Sequence, residues 1–146
     1  DLREPLRQVG WLLEPEAARR GLTLCVELPA VASVAWADPD EVQQIALNLV
    51  FNALHASGPG GRVTVALAVE TEAVVLRVVD EGVGMEPSVQ ERLFEPFFTT
   101  RADEGGTGLG LAVVHSIVDR HRARIEVESE PGVGTVVRVF WRREEA

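Results

Sequence analysis

The chain contains no lysine; all fourteen of its basic residues are arginines. A phosphate loop of the Gly-Lys-Ser/Thr type is therefore excluded. Any bound anion must be held by helix ends, a metal ion or guanidinium groups. A single cysteine, Cys25, rules out an internal disulfide and a cysteine-based metal site. A reducing compartment, the cytoplasm, is the simplest setting. No apolar run is long enough to span a bilayer, and the opening residues Asp1, Leu2, Arg3 and Glu4 do not form a secretory signal. An excess of positive charge is also lacking. The formal net charge is -9, which argues against nucleic acid as a partner.

What is present is an ordinary globular composition, 46% hydrophobic and 25% charged over 146 residues, enough for one domain with a sizeable core. Leu2, Leu6, Val9, Leu13 and Ala17 repeat at helical spacing, which predicts a helix from Asp1 to Arg20 stopped by Gly21. Thr23 to Leu28 alternates as a strand, and Val34 to Ala37 reads as a second, short one. Asp38, Pro39 and Glu41 form a helix start, with Glu41 in the capping position, and that helix runs to about Ala56. Arg62 to Glu70 and Ala73 to Asp80 read as strands joined by a tight turn at Thr71 and Glu72. A short helix is expected over Pro87 to Leu93, a mobile loop over 95–106 and an apolar-faced helix from Thr107 to His121. Arg124 to Glu128 and Thr135 to Trp141 supply the last two strands. Helices segregated from hairpin-joined strands predict a two-layer α/β sandwich, a mixed and mostly antiparallel sheet covered on one face by helices.

Three features carry chemistry. Val74, Leu76 and Val78 share one strand face, and Asp80 continues their phase. That points a carboxylate toward the apolar layer, where an unpartnered charge is expensive. An Asp at a strand end can also simply cap the next turn. Gly82 and Gly84 favour a ligand site, because bare backbone lets a flat ligand approach, and the exocyclic amine of adenine is a suitable donor to Asp80. On the helix after Asp38, Gln44, Asn48, Asn52 and His55 make one polar stripe among apolar positions. An Asn there offers a neutral carbonyl oxygen to Mg²⁺, which tolerates sparse protein ligation completed by phosphates and water. Finally, Gly106, Thr107, Gly108, Leu109, Gly110 and Leu111 open a helix with exposed amides, a phosphate-binding arrangement.

Taken together these motifs resemble the ATP-binding catalytic domain of sensor histidine kinases. Asn48-Leu49-Val50-Phe51-Asn52-Ala53 is similar to that family's N box, and Asp80-Glu81-Gly82-Val83-Gly84 to its first glycine box. Leu93-Phe94-Glu95-Pro96-Phe97-Phe98-Thr99-Thr100 resembles its Phe box. Gly106 to Leu111 resembles its second glycine box, and Gly132-Val133-Gly134-Thr135 a final Gly-Thr element. The order matches over nearly the whole chain. The wider superfamily includes gyrase, the Hsp90 chaperones and mismatch-repair ATPases, and shares the Bergerat fold.

The resemblance implies roles. Asn48 would ligate Mg²⁺ and Asn52 would contact phosphates. Asp80 would bind the adenine amine, with Thr135 nearby through water. Residues from about Met85 to Gly106 would form a lid over ATP, anchored by Phe94, Phe97 and Phe98. Gly108, Gly110 and the neighbouring amides would hold phosphates. Met85, Thr100, Arg101 and His55 join the candidate ATP contacts. His55 stands where many relatives carry Lys, and Arg101 where Lys often follows the Phe box. Arg101 can clamp a phosphate bidentately or remain a solvated charge. Partial protonation of His55 would make phosphate contact pH-dependent; a rim position with no such role is the alternative.

The superfamily's ATPases resemble one another in a glutamate four residues before the first N-box Asn, where this chain has Gln44. An amide is no general base, so transfer to another acceptor is favoured over hydrolysis. His55, His115 and His121 lack the acidic neighbour that usually follows the family's acceptor histidine. The resemblance implies that the acceptor histidine sits on a separate dimerising hairpin, making residues 1–146 a single catalytic domain of a longer kinase that has a response-regulator receiver domain as its indirect partner. No direct membrane contact is expected of the domain itself. An anti-sigma-factor-like serine kinase and an interaction module that binds no nucleotide are the alternatives on the same fold.

Overall fold

The computed structural model describes residues 1–96 and 110–144. Nine elements follow in chain order: α1 (Arg3–Arg19), β1 (Thr23–Glu27), α2 (Pro39–Ala56), β2 (Arg62–Val69), β3 (Ala73–Asp80), α3 (Pro87–Glu91), α4 (Gly110–Arg120), β4 (Arg124–Glu130) and β5 (Gly134–Arg142). The five strands form one sheet in the order β1-β2-β3-β5-β4. β1 lies parallel to β2, and every other pair is antiparallel. The expected mixed, mostly antiparallel sheet is what the chain adopts.

Alternation assigns the strand faces. Val63, Val65 and Leu67 of β2, Val74, Leu76 and Val78 of β3, and Val139 and Trp141 of β5 are all buried. They meet Val42, Ile45, Ala46, Leu49, Val50, Ala53 and Leu54 of α2, Leu6 and Val9 of α1, and Val114, Ile117 and Val118 of α4 in one core. Each large aliphatic side chain here is worth about 2–5 kcal/mol against truncation to Ala. The opposite sheet face carries no helix among the described residues. Trp141 is fully enclosed, whereas Trp11 and Trp36 are 66% and 62% exposed.

The helix signals act as read, with one change. Asp38 caps α2 by accepting from the N–H groups of Asp40 (2.8 Å) and Glu41 (3.4 Å), and Pro39 fills the first turn. Glu41 does not complete the cap; its carboxylate accepts from Arg120 at 2.7 Å and so joins the start of α2 to the end of α4. His121 lies in the same joint. Its Nε2 is 3.2 Å from Glu41 Oε2 and 3.3 Å from the Asp38 nitrogen.

Two helices end in the same backbone turn. After α1, Gly21 adopts φ 71°, and the N–H groups of Gly21 and Leu22 return to Ala18 and Ala17. After α4, Arg122 adopts φ 52°, and Arg122 and Ala123 return to Asp119 and Val118. Glycine takes that conformation freely, whereas arginine is strained in it.

The strand expected at Val34–Ala37 is absent. A single bridge, Ala35 to Arg143, forms there, flanked by hydrogen bonds from Trp36 to Arg142 and from Glu144 to Val34, just beyond the end of β5. β4 and β5 are longer than expected, running to Glu130 and Arg142. The start of α4 expected at Thr107 falls outside the described residues, as does most of the 95–106 loop.

Candidate nucleotide-binding site

β3 delivers Asp80 to the end of the buried sheet face, where it is 7% exposed. The Gly82 N–H donates to its Oδ1 at 2.9 Å. Burial raises the carboxyl above its usual range, and the backbone N–H groups of Gly82 and Thr135 oppose that shift. Asp80 thus does make the local turn contact that a capping Asp would make. It also remains a buried carboxylate with no cationic partner among the described residues. Cation-free burial of a carboxylate is costly enough to point to a ligand-binding role.

The glycines around it answer to a constraint different from the one the sequence indicated. A Cβ at Gly82 would run into the Ala56 carbonyl, and one at Gly84 into the Glu130 carbonyl. Gly84 also holds φ 68°. These positions are bare because backbone presses on backbone. Val83 shows why: its N–H donates to Ala56 at the end of α2 (3.1 Å), and its carbonyl accepts from Gly132 in the β4–β5 turn (2.8 Å). The loop after Asp80 is therefore clamped between α2 and the far hairpin.

Thr135 is the cross-strand partner of Asp80, and its backbone N–H donates to the carboxylate. It does not stand alone. Ser129 Oγ lies 2.7 Å from Thr135 Oγ1, 3.1 Å from the Gly134 carbonyl and 2.9 Å from the Met85 nitrogen. Gln90 of α3 donates its amide to the carbonyls of Met85 (3.0 Å) and Ser129 (3.2 Å). Neither Ser129 nor Gln90 was among the sequence candidates. Ser129 left a signal, since it is the polar residue on the Ile125–Val127 face of β4. Gln90 left none, because its partners lie in other elements.

The residues expected to meet the phosphates and metal lie on α2. Asn48 and Asn52 are both partly buried, whereas Gln44 is exposed. A Cβ on Gly110, the first residue of α4, would sit 3.8 Å from Asn48 Oδ1, so the helix start and the Asn carbonyl converge. Leu111 follows on α4 and packs against the core. His55 is partly buried on the same helix. Arg20 Nη2 approaches its Nε2 at 3.1 Å, and its Nδ1 lies 3.1 Å from the Phe51 carbonyl. A guanidinium can only donate, so Nε2 accepts and the proton resides on Nδ1. The imidazole also stacks on Phe51 with centroids 4.5 Å apart. Both ring nitrogens are thereby engaged with protein groups.

Phe94 stacks on His115 of α4 at 5.1 Å, so the first residue of the expected aromatic anchor does tie the segment after α3 to the helix. Phe97, Phe98, Thr100, Arg101, Gly106, Thr107, Gly108 and Leu109 lie outside the described residues. Among the described residues, no group of three or more His, Cys, Asp or Glu side chains could hold a metal ion. A cation here would depend on an Asn carbonyl together with ligand oxygens, which fits Mg²⁺ carried by a polyphosphate.

The described residues thus present a buried acid at a strand end, two partly buried Asn on one helix and a helix start converging on the first of them. Residues 37–145 match the family of histidine kinase-, DNA gyrase B- and HSP90-like ATPases. The chain belongs to this family. The sensor histidine kinase ZraS of Klebsiella oxytoca is 40% identical over 137 residues, which cover 93% of this chain and 29% of that protein. The chain spans less than a third of the length of such relatives. Among solved structures, the nucleotide-free catalytic domain of the histidine kinase ThkA superposes with a TM-score of 0.85 at 29% identity, covering 97% of this chain and 94% of that one. Full-length ShkA in complex with AMPPNP superposes at 0.88 and 28% identity, covering 100% of this chain and 31% of that one. The fold is thus that of histidine kinase catalytic domains. Among the described residues, no helix is long and apolar enough to cross a membrane.

Proposed function

We propose that this domain binds ATP with Mg²⁺ and presents the γ-phosphate to a histidine on a separate dimerisation domain of a sensor histidine kinase. The observation that carries the proposal is Asp80, a buried carboxylate fixed by two backbone N–H groups, with Asn48 and Asn52 partly buried on α2. In this reading Asp80 accepts from the adenine amine, with Thr135 beside it. Asn48 offers its carbonyl to Mg²⁺, Asn52 contacts phosphate, and the amides from Gly106 to Gly110 hold the phosphate tail. Mg²⁺, when bound, neutralises charge that develops on the transferred group.

Gln44 decides between hydrolysis and transfer. It lies one helical turn before Asn48 and is exposed, and an amide cannot take a proton from water. The γ-phosphoryl group therefore passes to an imidazole nitrogen brought by another domain, and ADP leaves. ThkA has been seen in complex with the response regulator TrrA. By analogy a receiver domain accepts the phosphoryl group from the histidine here, and the domain works in the cytoplasm.

Titration with a fluorescent ATP analogue, with and without Mg²⁺, tests the site. Saturable binding that Mg²⁺ strengthens and Asp80→Asn weakens strongly is expected. Equal binding by the Asp80→Asn protein would refute the assignment.

A further inference from the structure

The hydroxyl cluster beside Asp80 has only one proton arrangement that satisfies all its contacts. A serine hydroxyl has one proton and two lone pairs. The Met85 N–H can only donate, so Ser129 Oγ accepts from it at 2.9 Å. The Gly134 carbonyl can only accept, so the Ser129 proton goes there across 3.1 Å. The 2.7 Å contact between Ser129 Oγ and Thr135 Oγ1 is then a hydrogen bond only if Thr135 gives its own proton to Ser129. Thr135 is left with lone pairs alone to offer the cleft. Its cross-strand neighbour Asp80, when ionised, also offers only lone pairs.

We propose that Ser129 is a specificity-determining residue: by taking the Thr135 proton it makes the base-reading corner acceptor-only, so the site selects a purine with an amine at C6 and rejects one with a carbonyl. This rests on the reading that Asp80 meets the base. A C6 amine can donate to such a corner, whereas a C6 carbonyl would set oxygen lone pairs against oxygen lone pairs. A buried site whose polar groups are left unmatched discriminates strongly. If Thr135 could turn its proton outward, it would serve a carbonyl equally well.

Competition between ATP and inosine triphosphate, which carries a carbonyl at C6, reads this directly. Unaltered protein should prefer ATP. Ser129→Ala frees the Thr135 proton, and the preference should fall about tenfold, the size of one hydrogen bond. Ser129→Ala also unties Met85, which weakens both nucleotides alike and leaves their ratio untouched; the ratio therefore separates proton placement from structural support. Ser129→Thr keeps a hydroxyl and should restore the preference. Thr135→Val, which leaves Ser129 in place, removes the acceptor itself and should lower the preference even if Ser129→Ala fails to fold. An ATP preference unchanged in the soluble variants overturns the role of Ser129. Unaltered protein that binds neither nucleotide overturns the nucleotide reading itself.

Discussion

The base end of the cleft is made of sheet and the phosphate end of helix. Asp80 and Thr135 are neighbours in a hydrogen-bonded ladder, and the loop after Asp80 is clamped by the end of α2 on one side and the β4–β5 turn on the other. Asn48 and Asn52 stand on one helix, and the group that Asn48 meets belongs to another. Position at the base end is therefore set by backbone, and at the phosphate end by how two helices pack. Changes at the first should alter stability and binding together. Changes at the second should alter binding alone.

The largest effect is expected at Gly84. Alanine there must adopt φ 68° and displace the Glu130 carbonyl, and a loss of about 3 kcal/mol in unfolding free energy is expected. Thermal denaturation checks it, and a melting curve like that of the parent would show that the clamp yields easily. Asp80→Asn should weaken ATP binding about 100-fold by calorimetric titration, as expected when a charged hydrogen bond is lost from a buried site.

The same substitution should raise apo stability near neutral pH by about 1 kcal/mol, because burial disfavours the ionised carboxylate and no cation meets it among the described residues. The pH dependence has a definite sign. A carboxyl raised by folding adds stability below its unfolded value, about 3.9, and loses that contribution as pH rises through the higher folded value. The gain from Asp80→Asn should accordingly shrink as pH falls toward 4 and grow as pH rises. A gain that persists at pH 4 would place its origin elsewhere.

At the helical end, Asn48→Ala should cost about tenfold in affinity with Mg²⁺ present, the scale of one polar contact, and nothing with the metal chelated. A metal-independent loss would mean that Asn48 touches the nucleotide directly. The smallest effect is at Arg122, remote from the base end. Arg122→Gly relieves φ 52° and should stabilise the fold by about 1 kcal/mol, leaving nucleotide affinity unchanged.

Much of this was legible in the sequence wherever one element carried the signal. The alternation in β3 ending on Asp80, the cap at Asp38 and the stop at Gly21 all depend on neighbours within a few residues. The polar stripe on α2 was legible for the same reason. What failed required knowledge of pairing. Val34 to Ala37 alternates like a strand but forms only an isolated bridge at Ala35, with hydrogen bonds to Arg142 and Glu144 beside it. Glu41 looked like a capping residue until α4 brought Arg120 to it. The Arg20 that α1 brings against the His55 ring could not be foreseen from the polar stripe on α2 either. Gly82 and Gly84 were singled out for ligand access, yet their neighbours are Ala56 and Glu130, carbonyls contributed by distant segments. Ser129 and Gln90 acquire their roles only when α3, β4 and β5 are placed side by side.

The division of the three indoles, one enclosed and two in water, makes the protein its own optical gauge of unfolding. Trp11 and Trp36 emit from an aqueous environment whether or not the chain is folded. Trp141 emits from a dry one until the sheet parts from its helices. A red shift on denaturation therefore arises from a single fluorophore at the end of β5, and it reports separation of the two layers without contribution from the surface.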